Sequence, residues 1–419
     1  MPEARDTLSE QNSAISSEKE RLSTLEVIKA ETSSFPEAHA ILAESVKEQV
    51  HHNLEQRLKS LGQEDFYESL NLASASLSKF IDNFVNNPEV PEKYKNVASE
   101  YLESLKVWSG TINFYEIAHP YIQEAMSKKG VAAEELNILV GYILQDEAVG
   151  CQSGMYKQGE KVYLWHTEED VEDNPGDRFD KSRILQVSVR AGGGQTEDRY
   201  CFVYPDLLPG PAYCFGKDFF YSVDSQRAAE HNGSSDVPAN FVCWAMWRLG
   251  KDADAREIVD TFSPYTSGYT INIAKVVRDD GGAALKVGKI EFAYGLVSEF
   301  TAAESKPMVS LNVPEKGSAL FGIDDPTYNE VAPWYQERED RATRLVGKLG
   351  NLNFGINPYS LFRMLGNGLG NSKEGFGFAN SDVKSYVVTE LSADVTKVYA
   401  GPASADKSDW DSKVVRFEL

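Results

Sequence analysis

Nucleophilic chemistry in this chain has few residues to draw on. Four cysteines (Cys151, Cys201, Cys214, Cys243) and six histidines (His39, His51, His52, His119, His166, His231) are scattered over 419 residues. No two cysteines form a Cys-x-x-Cys pair, and none stands at metal-ligand spacing from a histidine. Cys151 differs from the other three in following a glycine, Gly150. A chain break directly before Cys151 would free an α-amino group whose ordinary pKa is about 8. Such an amine can act as general base for its own thiol, so that one residue supplies both nucleophile and base. Attack on an amide then gives a thioester, which water resolves as hydrolysis and an amine resolves as acyl transfer. Before the break, the same thiol can attack the Gly150 carbonyl, which no Cβ obstructs. The other cysteines read as buried thiols, and the His51-His52 pair reads as the surface of a polar helix.

Other chemistries lack a handle. There is no phosphate-binding Gly-x-x-x-x-Gly-Lys-Ser/Thr, no His-Glu-x-x-His, no EF-hand loop and no Gly-x-Ser-x-Gly. GNGLG at Gly366–Gly370 lacks the strand-then-helix setting of a dinucleotide loop and reads as an ordinary loop. No cofactor and no metal is therefore expected. A papain-type site would need a distant histidine; His231 is the only one downstream besides His166, and HNGSSD around it reads as a loop. The net charge of −22 argues against nucleic acid or an anionic membrane as the main partner. No apolar run is long enough to span a bilayer, and the start, MPEARDTLSEQNSAISSEKE, is polar throughout, so a cytoplasmic protein is expected.

The elements that must position Cys151 fall into two kinds. Residues 1–33, rich in Ser, Glu and Lys, read as a polar tail, disordered or amphipathic. Residues 34–150 read as helical: EAHAILAESVKEQVHHNLEQRLKSL, KYKNVASEYLESLKV and VAAEELNILVGYILQDEAV place apolar residues three and four apart. From Gly150 the pattern changes to short β-rich runs, KVYLWHTE, SRILQVSVRA, RYCFVYPDLL and FFYSVDS, with turn signals between them. PANFVCWAMWRLGKDADAREIVDTF predicts one or two helices. YTINIAKVV and ALKVGKIEFAYG predict strands joined by a DDGG turn, and KSYVVTELSA, TKVYAGPA and KVVRFEL predict a closing strand set. YQEREDRATRLVGKL is expected to be helical. The class is α+β, layered and rich in sheet.

GVAAEELNILVGYILQDEAVGCQSG followed by KVYLWHTEED resembles the autoproteolytic cysteine N-terminal nucleophile hydrolases. Within them it is most similar to the branch of acyl-coenzyme A:6-aminopenicillanic acid acyltransferase and the β-alanyl-amine hydrolases. The resemblance runs loosely over residues 115–419. It implies an αββα sandwich over 151–419, preceded by a helical pro-segment, 34–150. It implies an autoproteolytic amide hydrolase or acyltransferase acting on a small N-acyl or peptide-like amide, with the N-terminal fragment as a partner after cleavage. Cys151 would be the nucleophile and Gly150 the residue cut from it. His166, Thr167, Glu168 and Glu169 match the polar motif ending the second strand. Glu169, with Asp170 beside it, would supply a carboxylate to fix the new α-ammonium. Asn272, in GYTIN, matches an oxyanion donor, a group typically worth about 2.7–4 kcal/mol of barrier. Three departures stand out: Gln152 replaces a small hydroxyl residue, Gly216 replaces an Asn, and KGSALFGIDD lacks a His/Asn-bearing strand. They leave an alternative, a catalytically degenerate member of the fold serving as a binding or scaffolding protein.

Overall fold

Short β-rich apolar runs buried on both faces make most of the central strands, and the alternation of side chains between the two faces of each strand defines the layers. The computed structural model describes residues 25–32, 34–60, 63–119, 132–145, 150–169, 183–190, 196–210, 212–226, 237–238, 240–266, 268–279, 282–310, 314–315, 317–320, 340, 343–348, 356–365, 383–402 and 414–419. Fourteen strands among these form two sheets. They are β1 (Glu26–Ala30), β2 (Gly150–Gln158), β3 (Lys161–Glu169), β4 (Arg183–Arg190), β5 (Thr196–Val203), β6 (Tyr213–Gly216), β7 (Phe219–Ser225), β8 (Tyr269–Asp279), β9 (Gly282–Ala293), β10 (Leu296–Thr301), β11 (Pro307–Ser310), β12 (Val383–Ser392), β13 (Thr396–Pro402) and β14 (Val415–Glu418). The larger sheet runs β1-β4-β5-β6-β7-β8-β9-β10 and the smaller runs β11-β2-β3-β12-β13-β14. Every pairing is antiparallel except β1 with β4.

Between the sheets lie Met155, Val162 and Leu164 from the smaller one and Phe202, Phe215, Phe220 and Ala274 from the larger. The opposite face of the larger sheet (Leu185, Cys201, Val223, Ile271, Ile290) packs on helices. These are α1 (Phe35–Ser60), α2 (Gln63–Phe80), α3 (Glu92–Ile112), α4 (Ala133–Leu144), α5 (Asn240–Leu249) and α6 (Ala255–Phe262). A π-helical turn, Ile81–Val85, continues α2 and buries Phe84. The far face of the smaller sheet places Tyr156, Trp165, Tyr386 and Val388 against α7 (Pro358–Leu365) through Leu361 and Phe362. The chain is thus an α+β protein in which two sheets face each other and helices cover both outer faces.

The segment 1–33 is not polar tail to its end. Ile28 and Ala30 are buried at alternate positions while Glu26 and Lys29 are exposed, and this short alternation suffices for a strand at the edge of the larger sheet. The helices before Gly150 do not form a core of their own. Leu42, Tyr101, Trp108 and Leu139 belong to the same apolar cluster as Trp244, Ile271 and Phe292, beyond Cys151. The β8–β9 hairpin pairs from Tyr269↔Phe292 to Asp279↔Gly282, as the DDGG turn predicts. The edge strands β10 and β11 carry no clear alternation and were not anticipated. GNGLG, His231, Asp170 and much of YQEREDRATRLVGKL lie outside the described residues. No helix among the described residues is long and apolar enough to cross a membrane.

Candidate active site

Strand β2 begins at Gly150 and Cys151, and its inward positions follow by alternation. Cys151 and Ser153 precede Met155, which sits in the inter-sheet core. On β3, paired in register Cys151↔Glu168 and Ser153↔His166, the inward positions are Glu168, His166 and Leu164. On β7 they are Asp224, Ser222 and Phe220, and on β8 Asn272 and Ala274. At one end of an otherwise apolar interface, therefore, seven polar side chains converge from both sheets. All seven are essentially removed from solvent. Burying so many polar groups is costly unless they satisfy one another.

Most of their polar atoms are satisfied in two chains of hydrogen bonds. In the first, the Ser153 hydroxyl lies 2.7 Å from His166 Nδ1 and 2.9 Å from Ser222 Oγ, and His166 Nε2 contacts Glu168 Oε1. Burial pushes the His166 imidazole down to about 3, so the ring is neutral. In a neutral ring one nitrogen donates and the other accepts, so His166 bridges Ser153 and Glu168, and Ser153 shares a hydrogen bond with Ser222. In the second, Ser310 on β11 donates to Asn272 Oδ1 at 2.7 Å, and Asn272 Nδ2 donates to Asp224 Oδ2 at 2.7 Å. Asp224 Oδ1 stands 4.0 Å from His166 Nδ1, which brings the two chains together. Burial pushes the Asp224 carboxyl up to about 7, against the opposing pull of Ser153, Asn272 and Lys289. The Cys151 thiol donates to the Val223 carbonyl at 3.3 Å.

Behind Asn272, its register partner Lys289 brings a buried ammonium to the same layer. Lys289 Nζ lies 2.7 Å from Glu315, 3.3 Å from Glu291 and 3.2 Å from the Val309 carbonyl. The Glu315 backbone N–H donates to both Glu291 oxygens at 3.0 Å. Burial alone would lower the lysine, but the two glutamates outweigh it and hold the ammonium charged.

Of the residues singled out in the sequence, Cys151, His166, Glu168 and Asn272 come together here. Thr167 does not: it alternates to the other face of β3, where its hydroxyl donates to the Gln152 carbonyl at 3.4 Å. Glu169 pairs with Gly150 in the β2–β3 register, and Asp170 lies outside the described residues. Among the described side chains, the acids beside Cys151 are Glu168 and Asp224. Both nitrogens of His166 are engaged, so it is not placed to deprotonate Cys151. Two departures lose their weight. Gln152 alternates away from the polar cluster, and a side chain at Gly216 would meet the Phe219 ring instead of the cluster. Asp224, Ser153, Ser222, Ser310 and Lys289 were missed. Period-two alternation in FFYSVDS puts Ser222 and Asp224 on one face, and in GCQSG puts Cys151 and Ser153 on one face, but only the sheet-to-sheet approach selects them.

The remaining cysteines form a separate group beneath the helices. Cys201 and Cys214 are cross-strand partners, and Cys214 lies 2.7 Å from the Tyr221 hydroxyl, which donates to the Cys243 carbonyl at 2.7 Å. Burial pushes the Cys214 and Cys243 thiols up, which makes them poor nucleophiles. Among the described residues, no cluster of three or more His, Cys, Asp or Glu side chains is arranged to hold a metal ion. Neither the models of known protein families nor the curated proteins include a match to this chain.

Proposed function

We propose that the protein is a self-cleaving, cysteine-dependent amide hydrolase or acyltransferase of the N-terminal nucleophile type. The observation that carries this reading is the position of Cys151. It is the first inward residue of a strand, preceded by glycine, at the only place in the inter-sheet layer where acids, hydroxyls and an asparagine converge among the described residues. In the cleavage step the Cys151 thiol adds to the Gly150 carbonyl carbon. The Gly150–Cys151 C–N bond breaks as the nitrogen takes up a proton, leaving a thioester. Water hydrolyses the thioester, releasing the Gly150 carboxylate and restoring the thiol. The freed α-amine then serves as base when the thiol attacks a substrate amide.

Asn272 is suited to the oxyanion of either step. Its Oδ1 is fixed by Ser310 and one Nδ2 proton by Asp224, which leaves the second Nδ2 proton to donate. Asp224 and Glu168 are the carboxylates that would offset the positive charge on the new α-ammonium. The substrate in this reading is a small N-acyl or peptide-like amide.

Intact-mass spectrometry of the purified full chain tests the proposal. Two fragments, 1–150 and 151–419, are expected, the second beginning at Cys151, with only the uncut chain in Cys151→Ala. A wild-type chain that stays whole through prolonged incubation between pH 5 and pH 8 would overturn it.

A further inference from the structure

Strand β8 has two faces. Asn272 and Ala274 look toward the other sheet, whereas Ile273, Lys275 and Val277 look toward the helices. The helix layer does not cover this second face fully. A cavity of about 560 Å³ lies between β8–β10 and the chain entering α6, with Phe219, Met246 and Ala253 in its walls. Val277, at its edge, is one of few large apolar side chains left exposed among the described residues.

The charges in this cavity are unusual for so acidic a chain. Lys275 and Lys286 both line it and stand directly opposite each other in the β8–β9 register. Like charges at such a pair repel, and a sheet normally avoids them or inserts a counterion. Neither ammonium has a carboxylate within 4.0 Å among the described residues. Lys275 Nζ donates to the Ala253 carbonyl at 2.9 Å, and burial, with Lys286 and Lys93 nearby, pulls its pKa down. The acids close by, Asp252 and Asp254, act on Lys275 through space without a direct ion pair. Asp254 caps α6 by accepting from the Glu257 N–H at 3.1 Å, and Lys93 lies 3.6 Å from Glu257. Neither Asp252 nor Asp254 comes within ion-pair distance of Lys275, and Glu299 is also in the cavity lining.

We propose that this cavity is a binding site for a small amphipathic monoanion: a carboxylate head held between Lys275 and Lys286, with a short hydrocarbon chain against Ile273, Val277, Phe219 and Met246. The apolar walls and the volume suit a chain of that kind. Asp254 and Glu299 at the rim disfavour a dianion. The site lies across the sheet from Cys151 and does not depend on its chemistry.

Titration calorimetry on the full chain with sodium octanoate, octylammonium chloride and sodium acetate tests this. Octanoate should bind saturably with one molecule per chain, and the other two far more weakly. Lys275→Met and Lys286→Met should each weaken octanoate about tenfold, the loss of one charge-assisted hydrogen bond. Cys151→Ala should leave the affinity unchanged. Lys286 is exposed, so its variant remains informative even if Lys275→Met fails to fold. The proposal fails if octanoate does not bind, if octylammonium binds as well as octanoate, or if Lys286→Met binds octanoate as the wild type does.

Discussion

The carboxyl of Asp224 makes the stability of this protein depend on pH in a direction opposite to the common one for an acid. Its ordinary value is 3.8, and burial raises it to about 7 in the folded chain. An acid raised in this way contributes stability that is fully present below the unfolded value of 3.8. That contribution is lost as pH climbs through the folded value near 7. At about 1.4 kcal/mol per pH unit, the gap corresponds to about 4 kcal/mol between pH 4 and pH 8. Asp224→Asn keeps the shape and an oxygen to accept from Asn272 Nδ2, but it removes the titration. The chains with and without this substitution are best compared in a Cys151→Ala background, which keeps the chain whole and no new ammonium near the carboxylate. Urea denaturation at half-unit pH steps should show the two converging near pH 4. The chain carrying Asp224→Asn should then gain steadily, to about 4 kcal/mol by pH 8. Titrating groups remote from the site, such as buried neutral His39, act equally on both and cancel in the difference. A flat difference, or one that grows as pH falls, would refute the placement of Asp224 as a buried, unneutralised acid.

Lys289→Met should cost about 3–5 kcal/mol by urea denaturation, because Glu291 would remain buried without its cation, and adding Glu291→Gln should recover most of that loss. A loss under about 1 kcal/mol would remove the ion cluster from the account. Asn272→Ala should slow self-cleavage at Gly150 by about 10²–10³, followed by densitometry of the fragments over time, and an unchanged rate would exclude it as the oxyanion donor. After cleavage, fragments 1–150 and 151–419 should co-elute on gel filtration without denaturant, since their apolar residues share one core; separate elution would contradict that packing.

Much of the architecture was legible because it rests on periodicity. KVYLWHTE and FFYSVDS are short β-rich runs and YTINIAKVV partly alternates, which gives strands, and the three- and four-residue spacing in VAAEELNILVGYIL gives α4. β1 was lost because two buried residues in five cannot stand out within a polar stretch. At the site, Cys151 was marked by its type and the glycine before it, and Asn272 by the family resemblance alone. The choice of acid was not. Alternation alone puts Glu168 on the face of His166 and Leu164, whereas the matched motif pointed to Glu169 and Asp170, of which the Glu169 side chain and all of Asp170 lie outside the described residues. For Asp224 the alternation in FFYSVDS marked a face and no role: it became distinct only when β7 was laid against β2, which brought it to a thiol far earlier in the chain. Serines such as Ser153 and Ser222 are interchangeable with any others until their partners are known.

The strand β1 has a consequence for how the chain is made and unmade. It is the one strand among the described residues that precedes Cys151 and Gly150, and it joins the larger sheet beside β4, which follows them. While the chain is continuous, that edge forms by an intramolecular closure. Once the Gly150–Cys151 bond is cut, the same pairing joins two molecules, and its reassembly becomes second order in concentration. Dilute unfolded fragments would then refold poorly even if the uncut chain refolds fully. The processed protein would owe its persistence to slow unfolding more than to equilibrium, and a hysteresis between its unfolding and refolding curves would be the signature.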